Sequence, residues 1–352
     1  MLYVVVMAMA LLAAQAALPA PEPHDFVVRD FRFASGEMLP EVRIHYRTIG
    51  RPIRDGQGRI TNAVLVLHGS SGDASQVLAP SFSEPLFGAG GPVDAARHYL
   101  IFPDNLGNGR STKPSDGLRA RFPKYGYGDM LALQHRLVTE HLGIDRLRLV
   151  IGISMGGMQA WLWGTRYPEA MDGIVPIAAM PAAITGRNLL WRRILSHAIR
   201  SDPEWNGGNY KNQPKGFLAI MPMFDMLVQS PARLGESLTT YAAADAHVGE
   251  VVEETIEEDD ANNILYRFES SFDFNPEPEL GRLRAPLLAI LFEDDELNPT
   301  TLGIMERLLP KAKSARMVLI PAGPATEGHR TQVKASVWRE HVRRFVETLG
   351  HR

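Results

Sequence analysis

The stretch Leu147–Tyr167, LRLVIGISMGGMQAWLWGTRY, decides the fold. Its first seven residues are mostly apolar, as in a buried strand. The residues after Ser154 have a composition typical of a helix, which is predicted to end before Pro168. The motif G-x-S-x-G stands between the two, at residues 152–156. Such a sharp turn brings backbone segments together, and glycines relieve the contact because they lack a Cβ. The stretch therefore predicts a nucleophilic serine, Ser154, projecting from the edge of a sheet.

Short apolar runs alternate with helical segments along most of the chain. The apolar runs are Ala63–Leu67, Tyr99–Phe102, Leu147–Ile153, Gly173–Ala178, Pro286–Phe292 and Met317–Ile320. Runs that are apolar on both faces and separated by helices are typical of a buried parallel sheet. Phe26–Ile49 instead alternates apolar and polar residues around Ser35-Gly36, which predicts an antiparallel hairpin. We therefore predict the α/β fold class, with a mostly parallel central sheet flanked by helices.

One long segment interrupts this alternation. Residues 180–284 lack clear strands and carry Trp, Met and Leu at helical spacings. We predict that residues 26–179 and 285–352 form a single α/β core. Residues 180–284 would then form a helical cap over the carboxyl edge of the sheet, where open α/β sheets bind their ligands. The acidic run Glu250–Asp260 within the cap predicts a solvated helix face rather than a cation site.

Residues 1–20 have a composition of their own. Met1–Leu18 contains no charged side chain, and its apolar stretch Val4–Ala14 runs into Ala14-Gln15-Ala16, a small-x-small cleavage pattern. The apolar stretch is shorter than the about 20 residues that a membrane-spanning helix needs. These features predict a cleaved signal peptide and a secreted or periplasmic protein, with a cytoplasmic location as the alternative.

Composition excludes several function classes. The 352 residues carry 37 Lys and Arg against 40 Asp and Glu, a formal net charge of −3, without a basic run that could gather nucleic acid. The absence of cysteine excludes a thiol nucleophile, disulfides and thiolate metal sites. Neither an H-E-x-x-H pair nor a G-K-[ST] phosphate loop is present. We therefore expect no metal, no cofactor and no nucleic acid, but a small-molecule ester or acyl substrate. The oligomeric state stays open, a homodimer included.

A serine hydroxyl needs a base, and the base needs an acid that orients it. After a turn of this type the chain order is serine, acid, histidine. His329 follows the last apolar run, and Asp295 stands in the acidic cluster directly after the preceding run. Both positions fall on loops at the sheet edge that carries Ser154. We predict Asp295 and His329 as its partners, with Asp294 as the alternative acid.

Two backbone N–H groups are predicted to bind the negative charge that develops on an attacked carbonyl oxygen. One belongs to Met155, at the first position of the helix after Ser154. The other belongs to Ser70, in the sequence His68-Gly69-Ser70-Ser71-Gly72 after the first apolar run of the core. Together they predict an oxyanion hole made by Ser70 and Met155.

Longer motifs accompany the serine turn. They are Tyr46-Arg47-Thr48-Ile49-Gly50, Asn62-Ala63-Val64, Gly72-Asp73, Asp104-Asn105-Leu106-Gly107, Ser154-Met155-Gly156-Gly157-Met158-Gln159-Ala160, Ala198-Ile199-Arg200-Ser201-Asp202-Pro203, Trp205-Asn206-Gly207-Gly208 and Gly328-His329. Through them the chain, from Phe26 to its end, resembles the α/β-hydrolase superfamily and within it the homoserine O-acetyltransferase-like branch. The resemblance implies that Ser154, Asp295 and His329 form a catalytic triad.

Two positions depart from the pattern of that branch. The resemblance implies an acidic residue directly after the catalytic His and an Arg two residues before the Ala-Ile of the cap helix, both serving the amino-acid substrate. Here these positions hold Arg330 and Ser196, although Arg193 or Arg192 could replace the missing Arg through a shift. A zwitterion needs an anion for its ammonium group and a donor for its carboxylate. We therefore expect a substrate other than homoserine.

The sequence favours one function, ester hydrolysis, and leaves two alternatives open. The first is an esterase-type serine hydrolase that cleaves a small acyl ester through an acyl-Ser154 intermediate, which a protein outside the cytoplasm, without acetyl-CoA, would favour. The alternative is an O-acyltransferase with an acyl-CoA donor. The third is a noncatalytic ligand-binding protein on a hydrolase scaffold.

Overall fold

The computed structural model describes residues 18–350, so most of the predicted signal peptide lies outside the described residues. The strands are β1 (Glu22–Arg32), β2 (Met38–Ile49), β3 (Ala63–Leu67), β4 (Tyr99–Pro103), β5 (Leu149–Ile153), β6 (Ile174–Ile177), β7 (Leu287–Phe292) and β8 (Ala315–Ile320). They form one 8-stranded sheet in the order β1-β2-β4-β3-β5-β6-β7-β8. The pairs β1–β2 and β2–β4 are antiparallel, and every later pair is parallel. The predicted α/β fold class is confirmed.

Helices cover both faces of this sheet. They are α1 (Ala74–Leu78), α2 (Pro80–Phe87), α3 (Tyr127–Arg136), α4 (Met155–Arg166), α5 (Gly186–Ser201), α6 (Lys215–Val228), α7 (Pro231–Ser237), α8 (Tyr241–Glu258), α9 (Ala261–Glu269), α10 (Ile304–Leu308) and α11 (Ala335–Thr348). Among residues 18–350, no helix has the length and apolar composition that a membrane crossing requires.

The inner parallel strands β3, β5, β6 and β7 are buried on both faces, which explains their continuous apolar sequences, whereas the edge strand β8 is partly exposed. In β5, Val150 packs into one core layer with Trp161 and Trp163 of α4. Leu149 and Ile151 point to the opposite layer, which also holds Trp338 of α11. Successive side chains of a strand alternate between faces, so a short apolar run supplies both layers.

The segment between β6 and β7 has a hydrophobic core of its own. Trp191 and Leu195 of α5 pack there with Phe217 and Phe224 of α6 and Phe268 of α9. We call this segment, with its helices α5–α9, the cap, and the division of the chain into core and cap stays a prediction. The exact limits at residues 180 and 284 stay predictions.

The strand ends determine where the site lies. Strands β3, β5, β7 and β8 are parallel neighbours or near neighbours, so their carboxyl ends meet at one edge of the sheet. His68 follows β3 directly, Ser154 follows β5, and Asp295 comes shortly after β7. His329 lies on the connection from β8 to α11. Ligands of open α/β sheets bind at this edge.

Candidate active site

Ser154 lies at the turn between β5 and α4, with φ 50° and ψ −114°. A positive φ is unusual for a residue with a side chain, because this conformation is strained. It persists only where the surrounding structure enforces it. The neighbouring glycines allow the close backbone contacts that enforce this conformation. A Cβ on Gly152 would overlap the carbonyl of Gly156, and one on Gly156 would overlap the carbonyl of Leu67 in β3. The turn thus packs tightly against its own helix and the next strand, and holds the hydroxyl at the sheet edge.

A chain of hydrogen bonds runs from Ser154 through His329 to Asp295. Oγ of Ser154 lies 2.9 Å from Nε2 of His329, and Nδ1 of His329 lies 2.7 Å from Oδ2 of Asp295. The histidine and the aspartate are 4% and 2% exposed, so water competes little for these bonds. The structure therefore brings together the three side chains that the sequence singles out.

The Asp295 carboxylate is fixed by donors of its own loop. Oδ1 accepts the backbone N–H of Leu297 at 2.9 Å, and Oδ2 accepts Nδ2 of Asn298 at 2.9 Å. The same Asn298 amide donates to the carbonyl of Ala178, just beyond β6, at 3.0 Å. Asn298 thus holds the carboxylate in one orientation toward the imidazole. Nothing in the sequence points to this residue, because an asparagine in a turn carries no signal of its partner.

Asp294, the alternative acid, faces away from the imidazole. Its Oδ2 accepts Oγ1 of Thr326 at 2.9 Å and the backbone N–H of Gly328 at 3.0 Å. It thereby anchors the backbone of the loop that carries His329. Of the two neighbouring aspartates, the structure places Asp295 against the histidine ring.

The loop after β3 lies beside the nucleophile. A Cβ on Gly69 would stand 3.4 Å from the Cβ of Ser154. Within residues 18–350, the N–H of Ser70 has no hydrogen-bond acceptor. The N–H of Met155 belongs to the first turn of α4, where helical N–H groups lack intrahelical acceptors. Two donors next to Ser154 are therefore left for a ligand.

His68 supports this loop from below. Its Nε2 accepts the backbone N–H of Asn105 at 3.0 Å, so the ring proton is assigned to Nδ1, which donates to the carbonyl of Gly69 at 2.7 Å. His68 is fully buried, and this burial holds its pKa below the usual value of 6.5. The ring is therefore neutral near pH 7, as its one-donor, one-acceptor role requires.

A cavity of about 440 Å³ opens above Ser154 and His329, between the core and the cap. Met221, Phe224 and Val228 of α6 give it an apolar wall. Carboxylates form another part of the lining, from residues Asp225, Glu254, Glu258 and Asp259. Of these, Asp259 is sufficiently buried that desolvation raises its pKa.

The glutamates of the run Glu250–Asp260 are exposed, as expected of a solvated helix face, and two of them also border the cavity. Helix α8 turns Glu254 and Glu258, four residues apart, toward the cavity, while Glu250 and Glu253 lie outside it. Residues four apart share a helix face, but the sequence does not say which face meets the site.

Arg330 lines the cavity and forms an ion pair with Asp225 of α6. The Asp225 carboxylate also contacts Nε2 of His247 at 2.8 Å and accepts a hydrogen bond from Gln229. The carboxylate is 8% exposed and its surroundings compensate its charge. The basic residue after His329 therefore faces an acidic residue from the cap, which sequence analysis missed because 105 positions separate the two.

Ser196 and Arg193, the other predicted pocket residues, do not line the cavity, which corrects the sequence-based prediction. Oγ of Ser196 donates to Glu269 at 2.9 Å, and Nη1 of Arg193 lies 3.5 Å from the same carboxylate. Both side chains extend from α5 toward α9 and tie these two cap helices together. Arg192 is buried and donates to the carbonyl of Phe268 at 3.3 Å, so it too supports the cap.

Metal ligation has no candidate in the described part of the chain. Residues 18–350 contain no group of three or more His, Asp or Glu side chains that could hold a metal ion.

Several known proteins are similar to this chain in sequence. Residues 62–220 match the sequence profile of the alpha/beta hydrolase fold. The chain is 30% identical over 292 residues to a probable acyltransferase of Methanothermobacter thermautotrophicus, across 82% of this chain and 88% of that protein. It is also 30% identical over 283 residues to a homoserine O-succinyltransferase of Magnetococcus marinus, across 69% of this chain and 70% of that protein.

Solved structures share the fold at lower identity. Homoserine O-acetyltransferase from Bacillus anthracis superposes with a TM-score of 0.79 at 22% identity, across 94% of this chain and 98% of that chain. Esterase E22 superposes with a TM-score of 0.80 at 20% identity, across 93% of this chain and 100% of that chain. The same fold thus serves proteins named for acyl transfer and for ester cleavage.

Proposed function

Because the chain belongs to the homoserine O-acetyltransferase-like branch of the α/β-hydrolase superfamily, we propose that it is a serine O-acyltransferase that works through an ester on Ser154. The observation that carries the proposal is the hydrogen-bond chain Ser154–His329–Asp295 at the floor of a cavity between core and cap. A nucleophile, a base and an orienting acid in this geometry suit acyl transfer.

The proposed reaction has two halves. Ser154 Oγ attacks the acyl carbonyl while Nε2 of His329 takes the hydroxyl proton, and Asp295 stabilises the imidazolium that forms. The N–H groups of Ser70 and Met155 hold the oxyanion. The tetrahedral intermediate collapses, the proton passes from His329 to the leaving group, and acyl-Ser154 remains. An acceptor hydroxyl then attacks this ester, again with His329 as base, which releases the acylated acceptor and restores Ser154.

The names of the sequence relatives favour an alcohol as the acceptor, whereas the sequence alone favoured water. The relatives at 30% identity are named as acyltransferases. Homoserine is disfavoured as the acceptor, because Arg330, paired with Asp225, stands where the resemblance implies an acidic residue for the amino-acid substrate. We therefore propose a hydroxyl acceptor without an amino-acid head group.

Hydrolysis is the second candidate, and the carboxylates around the cavity favour it. Glu254, Glu258 and Asp259 would repel the phosphates of coenzyme A and so disfavour a CoA thioester as the donor. We further propose that residues 1–20 act as a cleaved export signal, which would separate the enzyme from cytosolic CoA. Sequencing the N-terminus of the mature protein tests this: a chain that still begins at Met1 would contradict export by cleavage.

Product analysis separates the two candidates. Purified protein receives p-nitrophenyl acetate or acetyl-CoA, with and without glycerol, a simple diol or homoserine, and mass spectrometry measures acetylated alcohol against free acetate. Acyl transfer predicts that an acetylated alcohol accumulates in preference to acetate and that Ser154→Ala makes neither. Acetate as the sole product with every acceptor would overturn transfer in favour of hydrolysis.

A further inference from the structure

A buried arginine of the cap touches the loop that carries the Ser70 N–H. Arg267 belongs to α9 and is 6% exposed, and its Nη1 donates to the carbonyl of Ser70 at 2.8 Å. The cap and the predicted oxyanion hole are therefore joined by a charge-assisted hydrogen bond, a strong type of contact.

The guanidinium has little else to compensate its charge. The nearest carboxylate oxygen, Oδ1 of Asp259, lies 4.0 Å from Nη1. Within residues 18–350, Nε of Arg267 is buried without a hydrogen-bond partner. Burial lowers the pKa of this arginine, which expresses the cost of removing its charge from water. Since a buried charge with weak partners is a poor source of stability, the contact with Ser70 calls for another explanation.

The other bonds of this loop come from the core. The carbonyl of Gly69 accepts Nδ1 of His68, and the N–H of Gly69 donates to Oε1 of Gln76 at 2.7 Å. These bonds fix the peptide groups that precede the Cα of Ser70. Arg267 fixes the peptide group that follows it. The Ser70 N–H lies in the plane of the Gly69–Ser70 peptide group, which His68 orients, and Arg267 restrains the Cα of Ser70 from the other side.

We propose that Arg267 is a positioning residue through which the cap sets the oxyanion hole. By holding the Ser70 carbonyl it keeps Ser70 from shifting and so keeps the Ser70 N–H within reach of the developing oxyanion, and it does not itself touch the substrate. The inference rests on the proposed function of Ser154 as an acylated nucleophile. Its consequence is that the cap contributes to the rate of the chemical step as well as to the shape of the cavity.

The test compares two buried arginines of the same cap. Arg267→Met removes the donor to Ser70 and keeps an unbranched apolar chain. Arg192→Met is the matched control, because Arg192 is also buried and donates to a backbone carbonyl, that of Phe268, away from the loop. Three quantities are measured: the rate of Ser154 labelling by a fluorophosphonate, kcat and KM with p-nitrophenyl acetate, and Tm.

Loss of one oxyanion donor costs about 100- to 1000-fold, so a misdirected donor should cost at least about tenfold. We expect R267M to label Ser154 at least about tenfold more slowly, with a matching loss in kcat and a KM within about twofold. R192M should lower Tm comparably and leave the labelling rate unchanged. Arg267→Lys, which keeps one donor, should recover most of the rate.

The proposal is overturned if R267M labels at the wild-type rate or if R192M slows labelling as much. Should R267M not fold, Arg267→Gln repeats the comparison, because its shorter amide does not reach Ser70, and the same loss is expected. Labelling needs no turnover. Wild-type protein that is labelled at Ser154 but turns over no acyl donor would therefore contradict the proposed function and leave the test of Arg267 intact.

Discussion

The placement of Ser154 depends on residues close to it in the sequence, whereas the placement of its partners depends on distant ones. The serine sits in a turn whose glycines, backbone angles and flanking elements all come from residues 149–166, so its placement could be predicted from a short motif. For the acid, the sequence predicts Asp295 but leaves Asp294 as an alternative. The two are adjacent in a turn, and only the position of the His329 loop decides which carboxylate meets the ring.

The two aspartates give the sharpest prediction at this scale. Asp295→Asn should keep the size of the side chain but favour the wrong imidazole tautomer, and kcat should fall by about 10⁴-fold. Asp294→Asn is the matched control. Its amide oxygen can still accept from Gly328, so the loss in kcat should stay below about tenfold. Steady-state kinetics of both variants measure this; equal losses would contradict the assignment of Asp295.

Asp225 and Asn298 show where residue-level prediction fails. Asp225 meets Arg330 across the space between cap and core, and Asn298 joins Asp295 to the end of β6. Each contact depends on how distant elements pack, and neither residue type carries a motif. The departure of Arg330 from the family pattern could be read from the sequence, but its compensation by Asp225 could not.

The elements around the site are held by close backbone contacts rather than by large side chains alone. Helix α4 approaches β3 and β6 so closely that a Cβ on Gly157 would lie 2.6 Å from the carbonyl of Ile177. Sequence analysis predicts glycines for a sharp turn. It does not show that the same glycines also let a helix pack on the sheet.

Substitution of Gly156 tests this packing. A Cβ there would overlap the backbone of Leu67, so Gly156→Ala should lower the free energy of unfolding by about 3 kcal/mol. Gly281→Ala is the control, because a Cβ at that position has no atom within 4 Å and should change stability by less than about 1 kcal/mol. Urea unfolding measures both. A Gly156→Ala protein as stable as wild type would contradict the close approach.

The loop after β3 predicts a pH dependence. Burial keeps the pKa of His68 below 6.5 in the folded state, so the unfolded chain binds the proton first as the pH falls. Below about pH 6.5 this group should cost about 1.4 kcal/mol of stability per pH unit, until the folded-state pKa is reached. Unfolding of wild type and His68→Gln between neutral and acidic pH isolates the effect. Equal slopes for the two proteins would show that His68 is not the group responsible.

In the molecule as a whole, the core supplies Ser154 and His329, and the cap supplies the carboxylates that line the cavity. The mostly parallel sheet and the turn that carries Ser154 could be predicted, because each is encoded in local patterns of apolar residues and glycines, whereas the order of the strands could not. The electrostatic character of the cavity could not, because it depends on which face of α8 meets the core. The formal net charge of −3 is therefore a poor guide to the site, where carboxylates are concentrated.

The carboxylates around the cavity predict which acyl donors the enzyme prefers. Glu254→Gln with Glu258→Gln should raise kcat/KM for acetyl-CoA about two- to fivefold at low salt and leave the neutral p-nitrophenyl acetate unchanged. Glu250→Gln with Glu253→Gln removes the same charge from the same helix outside the cavity, and it should have a smaller effect. If both double variants behave alike, general charge rather than the cavity lining governs donor choice.

The acyl-Ser154 ester is the central claim, since transfer and hydrolysis both pass through it. The most direct measurement is intact-protein and peptide mass spectrometry after p-nitrophenyl acetate is mixed with wild type or with Ser154→Ala and quenched in acid. We expect one acetyl group on the wild-type peptide that contains Ser154, and none on the variant. No adduct on wild type under rapid quenching, or the same adduct on Ser154→Ala, would contradict the account.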